Sequence, residues 1–279
     1  MILILRRRKL GKGSCMAIKE NSVNDIVVVR NDKLKRRHLD AELLIRWGCT
    51  SEVPIRKVIN KAVSIERVNN KPLCREMLIE AGINVPRTYF NQDEIPERYP
   101  LLGRRRKHAQ GRHIHMINNL EEFRTDNSYY WSEYLRKEKE FRVFTFFGKV
   151  LMVAEKIPRN IEDIAWNHHQ GSSFRNLRWA QWPKKACLEA LKAAKVIGID
   201  FSGVDVIYVR EETLKPYVLE LNSAHSLTSE YRQKTFAKAL DWAIQKARNN
   251  ELEHFEVPET IETYRDILHP CLVEEHNEG

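Results

Sequence analysis

The chain has 279 residues, 42% hydrophobic and 30% charged, which suits a folded protein of two or three lobes and excludes wholesale disorder. No apolar run is long enough to span a bilayer, and the opening Met-Ile-Leu-Ile-Leu before Arg6-Arg7-Arg8 is too short for a secretory signal. Net charge is +9, and residues 1–70 carry the whole excess, with sixteen Lys and Arg against seven Asp and Glu; that basic lobe reads either as a solvated surface or as the seat of an anionic partner, a nucleic acid or an acidic protein.

In chain order, residues 2–5 read as a strand, 14–21 as a helix, 26–30 as a strand and 33–47 as a helix, which makes a small α/β lobe with a parallel sheet. Gly11-Lys-Gly-Ser14 between the first strand and helix could meet an anion, but it lacks the dinucleotide and Walker spacings. Asn70, Pro72 and Gly82 bracket a helix over 73–81. Strands follow at 88–90, 99–104, 113–117, 129–135, 140–147 and 150–157, with Phe147-Gly-Lys149 as a tight turn. Arg104-Arg-Arg-Lys-His-Ala-Gln-Gly-Arg112 is either a flap over phosphates or a solvated hairpin. Residues 158–177 show no clean period, as expected of a functional loop such as a lid. Helices at 183–197 and 229–249 flank the most informative stretch, and residues from 251 onward are acidic. Five scattered cysteines without a CxxC point to reduced thiols and a cytoplasmic setting, and no histidine group has zinc-like spacing.

Residues 203–222 are two runs of β-favouring residues around a charged turn, hence an antiparallel hairpin. With the turn centred between Glu212 and Thr213, Asp205 faces Glu220, Val204 faces Leu221, Val206 faces Leu219 and Ile207 faces Val218. Asn222 points the same way as Glu220, because strand side chains alternate. Two opposed carboxylates repel. With the amide they form either an oxygen-rich set suited to Mg²⁺ or a solvated strand end.

These segments, taken together, resemble the ATP-grasp superfamily from Asn70 to about Asn249. The resemblance is greatest to carboxylate–amine ligases such as D-alanine–D-alanine ligase and the ribosomal-protein glutamyl ligase, short viral members included. Asn70-Lys71 with Ala81-Gly-Ile-Asn-Val-Pro86 resembles the family's entry motif, in which the lysine reaches ATP phosphate. Arg104 stands where the family has a phosphate-binding lysine, and His108-Ala-Gln110-Gly111 is similar to its flexible flap. Glu133-Tyr134-Leu135 resembles the hinge that meets adenine, with Glu140 placed for the ribose. Glu140-Phe-Arg142-Val is a common family run, in which Arg142 faces phosphate or substrate. Phe174-Arg175-Asn176 is similar to a glutamyl-ligase motif but one residue shorter, so Arg175 carries over better than Asn176. Asp205, Glu220 and Asn222 fall on the family's magnesium ligands. Gly203 stands where D-alanine ligases have an arginine for the acyl oxyanion, leaving Lys156, Arg159 and Arg175 as the candidate cations.

The resemblance implies an α/β ATP-grasp fold. A basic α/β lobe (1–69) would precede a central lobe with the phosphate flap (70–135) and a lobe with the metal hairpin (136–250), the last two clasping ATP, and an acidic tail (251–279) would follow. It implies an ADP-forming ligase that uses ATP and Mg²⁺ to join a carboxylate substrate to an amine acceptor, without a membrane, and allows the homodimer frequent among similar proteins. Arg142, Lys156 and Arg175 would be catalytic, and Lys71, Arg104, Gln110, Gly111, Glu133, Tyr134, Leu135, Glu140 and Asn176 would hold the nucleotide. The alternative from another class is a nucleic-acid-binding module that uses the basic first lobe.

Overall fold

Continuous apolar runs in the first part of the chain become a parallel sheet, because strands covered on both faces need no polar alternation. The computed structural model describes residues 1–9, 11–106, 114–166, 171–209 and 215–273. Strand β1 (Ile2–Arg6) is followed by helix α1 (Lys12–Asn21) and strand β2 (Ile26–Arg30), and then by strands β3 (Leu43–Trp47) and β4 (Val58–Ile59). The sheet order is β2-β1-β3-β4, all parallel. Leu43–Trp47 is therefore a strand, where a helix over 33–47 was expected. The residues before it make only two short 3₁₀ turns, and all five strand residues are buried, beyond what a one-sided helix allows. Gly11 sits at φ 73° against the Trp47 indole. Ser14 is buried, and its hydroxyl accepts the Leu227 amide at 3.0 Å instead of facing an anion.

Helices α2 (Ala62–Asn69) and α3 (Lys71–Glu80) lead to a second sheet of order β5-β8-β6-β7. Its strands are β5 (Thr88–Tyr89), β6 (Leu101–Arg104), β7 (Ile114–Ile117) and β8 (Tyr130–Glu133), with helix α4 (Leu120–Thr125) between β7 and β8. Gly82, at φ 71°, ends α3 as its position predicts. This central unit has a small core of its own: Tyr89, Leu101, Ile117, Phe123 and Trp131.

The third sheet is antiparallel, in the order β11-β10-β9-β12-β13. Its strands are β9 (Lys137–Phe146), β10 (Lys149–Ile157), β11 (Ser173–Asn176), β12 (Phe201–Val209) and β13 (Pro216–Asn222). Phe147 (φ 46°) and Gly148 (φ 85°) form the tight turn between β9 and β10. Helices α5 (Lys184–Ile197) and α6 (Glu230–Arg248) pack on the sheets, and the Ser229 hydroxyl caps α6 by accepting the Arg232 amide. The core of this sheet runs into the first lobe without a break. The Trp47 ring lies 5.2 Å from Phe201 and 5.3 Å from Phe236.

The expected acidic tail folds back, as far as it is described. Val150 bridges to Leu268, and Ile267, Leu268 and Leu272 are buried. No helix among the described residues is long and apolar enough to cross a membrane.

Candidate active site

Alternation divides the five-stranded sheet into one apolar face and one charged face. Val143, Val153, Val204 and Leu221 align across the apolar side. On the other side a row runs Asn176, Ala154, Arg142, Asp205, Glu220, each residue opposite the next. The neighbouring row holds Phe174, Lys156 and Glu140, and the row beyond on the other side holds Phe144, Gly203 and Asn222.

The charges on this face are paired, and all but Arg142 and Glu220 are buried. Arg142 grips Asp205 with a two-pronged fork, Nε to Oδ1 at 2.7 Å and Nη2 to Oδ2 at 2.8 Å. Lys156 Nζ donates to Asp205 Oδ2 at 2.8 Å and also to Glu140 Oε1. Lys137 Nζ reaches Glu140 Oε2 at 2.8 Å, because a bulge at residues 137–139 turns it onto this face. Burial pushes the Asp205 carboxyl up, but Arg142 and Lys156 more than reverse this and hold it well below the carboxylate range. Burial likewise disfavours the charge on Arg142, and Asp205 outweighs it, so the pKa rises.

The expected pairing of Asp205 with Glu220 and of Val204 with Leu221 is the one observed. Past Asp205 the register shifts by one residue, so that Val206 faces Val218 and Ile207 faces Tyr217, with Leu219 as the extra residue. β13 is the edge strand of its sheet, and α3 takes up carbonyls along it: Arg75 Nη2 meets Leu219 O at 2.7 Å and Lys71 Nζ meets Leu221 O at 2.9 Å. Lys71 also lies 3.7 Å from Glu220 Oε2, and Asn222 Nδ2 lies 3.1 Å from Glu220 Oε1. Burial raises the Glu220 pKa, and Lys71 turns the net shift downward despite Asp205.

Asp205, Glu220 and Asn222 therefore offer only oxygen acceptors to a cation, on adjacent strands, which fits Mg²⁺ in donor type. Asp205 contributes least. A carboxylate has about four acceptor sites, and Arg142 and Lys156 fill three of them, leaving one on Oδ1.

The other expected residues divide into three groups. Lys71, Arg104 and Glu220 line one small pocket between the second and third sheets, together with Arg75 and Tyr130, which were not expected there, and Arg104 Nε approaches Ser132 Oγ at 3.4 Å. Glu133, Tyr134 and Leu135 form the half-buried link from β8 to β9, with the first two amides bonded to Arg87 O and Pro100 O. Gln110 and Gly111 lie outside the described residues.

Two placements differ from expectation. Glu140, expected at the ribose, is 3% exposed and clamped by Lys137 and Lys156, so in this structure it is a buried counter-ion. Arg175 projects from the opposite face of β11, where it pairs with Glu155 and is exposed. Strand alternation gives the site Phe174 and Asn176 instead. Arg159, the remaining candidate cation, is exposed on the segment after β10.

The sequence reading missed Phe174, whose ring centroid lies 5.4 Å from the Arg142 guanidinium and 5.9 Å from Lys156 Nζ. It also missed Arg232, which donates to Asn176 Oδ1 at 2.7 Å. Counting twos along 173–176 would have found Phe174; nothing local marks Arg232.

No family model matches the chain. A solved D-alanine–D-alanine ligase from Bacillus anthracis superposes with TM-score 0.63 at 14% identity, over 90% of this chain and 98% of that one. ATP-grasp ligase PsnB, solved with minimal precursor, Mg and ADP, does so with TM-score 0.63 at 13% identity, over 88% and 97%. The chain has the ATP-grasp fold. In sequence, it is 28% identical over 188 residues to a probable alpha-L-glutamate ligase of Parasynechococcus marenigrum, a stretch that is 61% of this chain and 39% of that protein. The chain thus spans well under half the length of that relative. The ATP-grasp resemblance drawn from the motifs holds both in fold and in the kind of relative found.

Proposed function

We propose that the protein is an ATP-dependent carboxylate–amine ligase that works through an acyl phosphate. The observation that carries this reading is the charged face itself. It carries an acid–acid–amide group on adjacent strands near Lys71, Arg142 and Lys156, and Lys71 and Glu220 also line the cleft between the second and third sheets. The PsnB and Bacillus anthracis structures, solved with Mg and ADP and with ATP, support a nucleotide in that cleft.

Lys71 and Arg104 border the pocket between the sheets and would hold phosphate charge there. Glu220 and Asn222, with the free acceptor on Asp205, would hold Mg²⁺, which when bound neutralises phosphate charge. Arg142 and Lys156 are fixed by buried acids, so their positions cost little reorganisation during reaction. In the first step a substrate carboxylate oxygen bonds to the γ-phosphorus as the bond to ADP breaks. In the second, the amine bonds to the acyl carbon, phosphate leaves and the amine loses a proton. Positioning two reactants in this way supplies on the order of 7–11 kcal/mol.

The test is ADP and phosphate release from Mg·ATP with L-glutamate and other amino acids as carboxylates, and amines and peptides as acceptors. Carboxylate-dependent release with a new amide by mass spectrometry is expected. Nucleotide turnover that no carboxylate affects would overturn the reading.

An acidic protein acceptor is favoured over a nucleic acid by one feature of the first lobe. A groove of about 530 Å³ runs along the edge strand β2, lined by its valines and by Arg6, Arg30, Lys33, Lys35 and Arg37. An exposed strand edge with a cationic rim suits an extended acidic segment. Neither the relatives nor the described elements favour the nucleic-acid module.

A further inference from the structure

Among the cations of the charged face, Arg232 stands apart. Lys137 and Lys156 share Glu140, Arg142 has Asp205, and Lys71 lies near Glu220. Arg232 is 3% exposed, and no carboxylate pairs with it among the described residues. Its partners are neutral: Asn176 Oδ1 at 2.7 Å from Nε and Thr228 Oγ1 at 3.2 Å from Nη1. Burial and the nearby Arg142 lower its pKa to about 10, which leaves it charged at neutral pH. A buried charge is costly unless an anion compensates it.

Its surroundings suit a ligand. The Arg232 guanidinium carbon lies 5.3 Å from the Phe174 ring centroid, and that of Arg142 lies 5.4 Å from the same centroid. Two guanidinium groups thus flank one ring. Between Asn176 and Arg142 the sheet carries only the methyl of Ala154, the smallest side chain of its row. Arg232 belongs to the first turn of α6, where the positive end of the helix dipole favours negative charge as well. Thr228, which it touches, is exposed, so the guanidinium is one side chain from solvent. Gly203 has no space for a cation of its own, since a Cβ there would come within 3.1 Å of His225 and 3.3 Å of Arg142.

We propose that Arg232, held by Asn176 and flanked by Arg142, is the anchor for the carboxylate group of the substrate. The identity of that anion rests on the ligase reading above; the presence of an anion subsite does not. Arg232 fixes the carboxylate beside Arg142, which shares its row with Asp205 and Glu220 and lies one row from Asn222.

Two measurements on the full chain separate the subsite from the reaction. The first is calorimetric titration with L-glutamate, glutarate and inorganic phosphate, alongside AMP-PNP with Mg²⁺, for wild type, Arg232→Lys, Arg232→Gln and Asn176→Ala. At least one of the three anions binds wild type, Arg232→Gln weakens it at least about tenfold, and Arg232→Lys recovers part of the loss. AMP-PNP affinity of the two Arg232 variants stays within about threefold. Asn176→Ala, which frees the guanidinium from its orienting partner, weakens the same anion and keeps the test available if Arg232→Gln does not fold. The second is the KM for that carboxylate in ADP release, which rises with a smaller change in kcat. Anion binding lost without any ADP release in wild type would retain the subsite and remove the ligase reading. Anion affinity equal in wild type and Arg232 variants, no binding of any of the three anions to wild type, or AMP-PNP affinity falling in step, would overturn the proposal.

Discussion

The two antiparallel sheets border the same small pocket, yet they are held together differently. The five-stranded sheet shares its apolar core with the first lobe through Trp47, Phe201 and Phe236, and its charged face is locked by ion pairs buried to a few per cent exposure. The central sheet rests on five core residues of its own and offers the pocket a half-buried arginine, Arg104, with no acid partner among the described residues. One wall of the site is therefore electrostatically set before any ligand arrives, whereas the other depends on a ligand for its counter-charge. Fixed donors on a rigid wall suit transition-state charge, and a lightly packed opposite wall suits entry and release.

The largest effect that could break this contrast is removal of a buried acid. Asp205→Asn leaves Arg142 and Lys156 short of their shared counter-ion and should cost about 3–5 kcal/mol of folding stability, read by urea unfolding. Glu220→Gln, on a side chain one-third exposed, should change stability by less than about 1 kcal/mol and still abolish carboxylate-dependent ATP turnover. If Asp205→Asn unfolds no more easily than Glu220→Gln, the wall is not held by its ion pairs. Arg104→Gln supplies the opposite pole: Mg·AMP-PNP affinity falls on the order of tenfold, while the urea midpoint stays put.

The same contrast explains what could be foreseen. Period-two alternation made the facing of Asp205 and Glu220 legible, but the assumed turn did not fix the register: Val206 faces Val218 and Ile207 faces Tyr217 where Leu219 and Val218 were expected, and the bulge at Leu219 restores the expected pairing at Asp205. Nothing local marks the bulge beyond Asp205, and the Arg75 and Lys71 side chains that meet Leu219 O and Leu221 O beside it come from α3, far away in the chain. The clamp on Glu140 was not legible for a related reason. Its partner Lys156 comes from the next strand, and Lys137 reaches it only through a bulge. The buried strand Leu43–Trp47 was mistaken for part of a helix because a fully covered strand loses its alternation. Arg232 lies a whole helix and a hairpin away from Asn176 in the chain, so only the assembled fold brings them together.

Acid should find the shared core before it finds the ion pairs. Burial, with Arg142 next in effect, pushes His225 down to about 3, and burial does the same to His269. Both begin from an ordinary value near 6.5. The unfolded chain takes up these protons as pH falls through about 6.5 while the folded chain does not, so stability declines from there toward pH 3. The slope is at most about 1.4 kcal/mol per pH unit for each histidine. Asp205 acts lower: its folded pKa is depressed, so its contribution is present above about pH 4 and is lost on further acidification. A thermal midpoint constant from pH 7 to 5 would contradict the burial of both rings, and His225→Gln should remove roughly half of that early decline.

The smallest expected effect tests how closely the locked wall is fitted. Gly203 has an ordinary negative φ, so an added methyl faces no backbone strain there; the question is contact alone. That methyl would stand 3.1 Å from His225 Cβ and 3.3 Å from Arg142 Cδ, distances that force a shift of a few tenths of an ångström. His225 is wedged among Trp47, Phe144, Phe201 and Phe236 and cannot retreat, so Arg142 must give way. Its fork on Asp205 then loosens. Gly203→Ala should therefore cost only about 1–2 kcal/mol in urea unfolding but lower kcat more than it raises the KM for ATP, because the displaced guanidinium belongs to the preset wall and not to the pocket that Arg104 borders. Equal changes in kcat and in ATP affinity would show that the two walls are not separate in function.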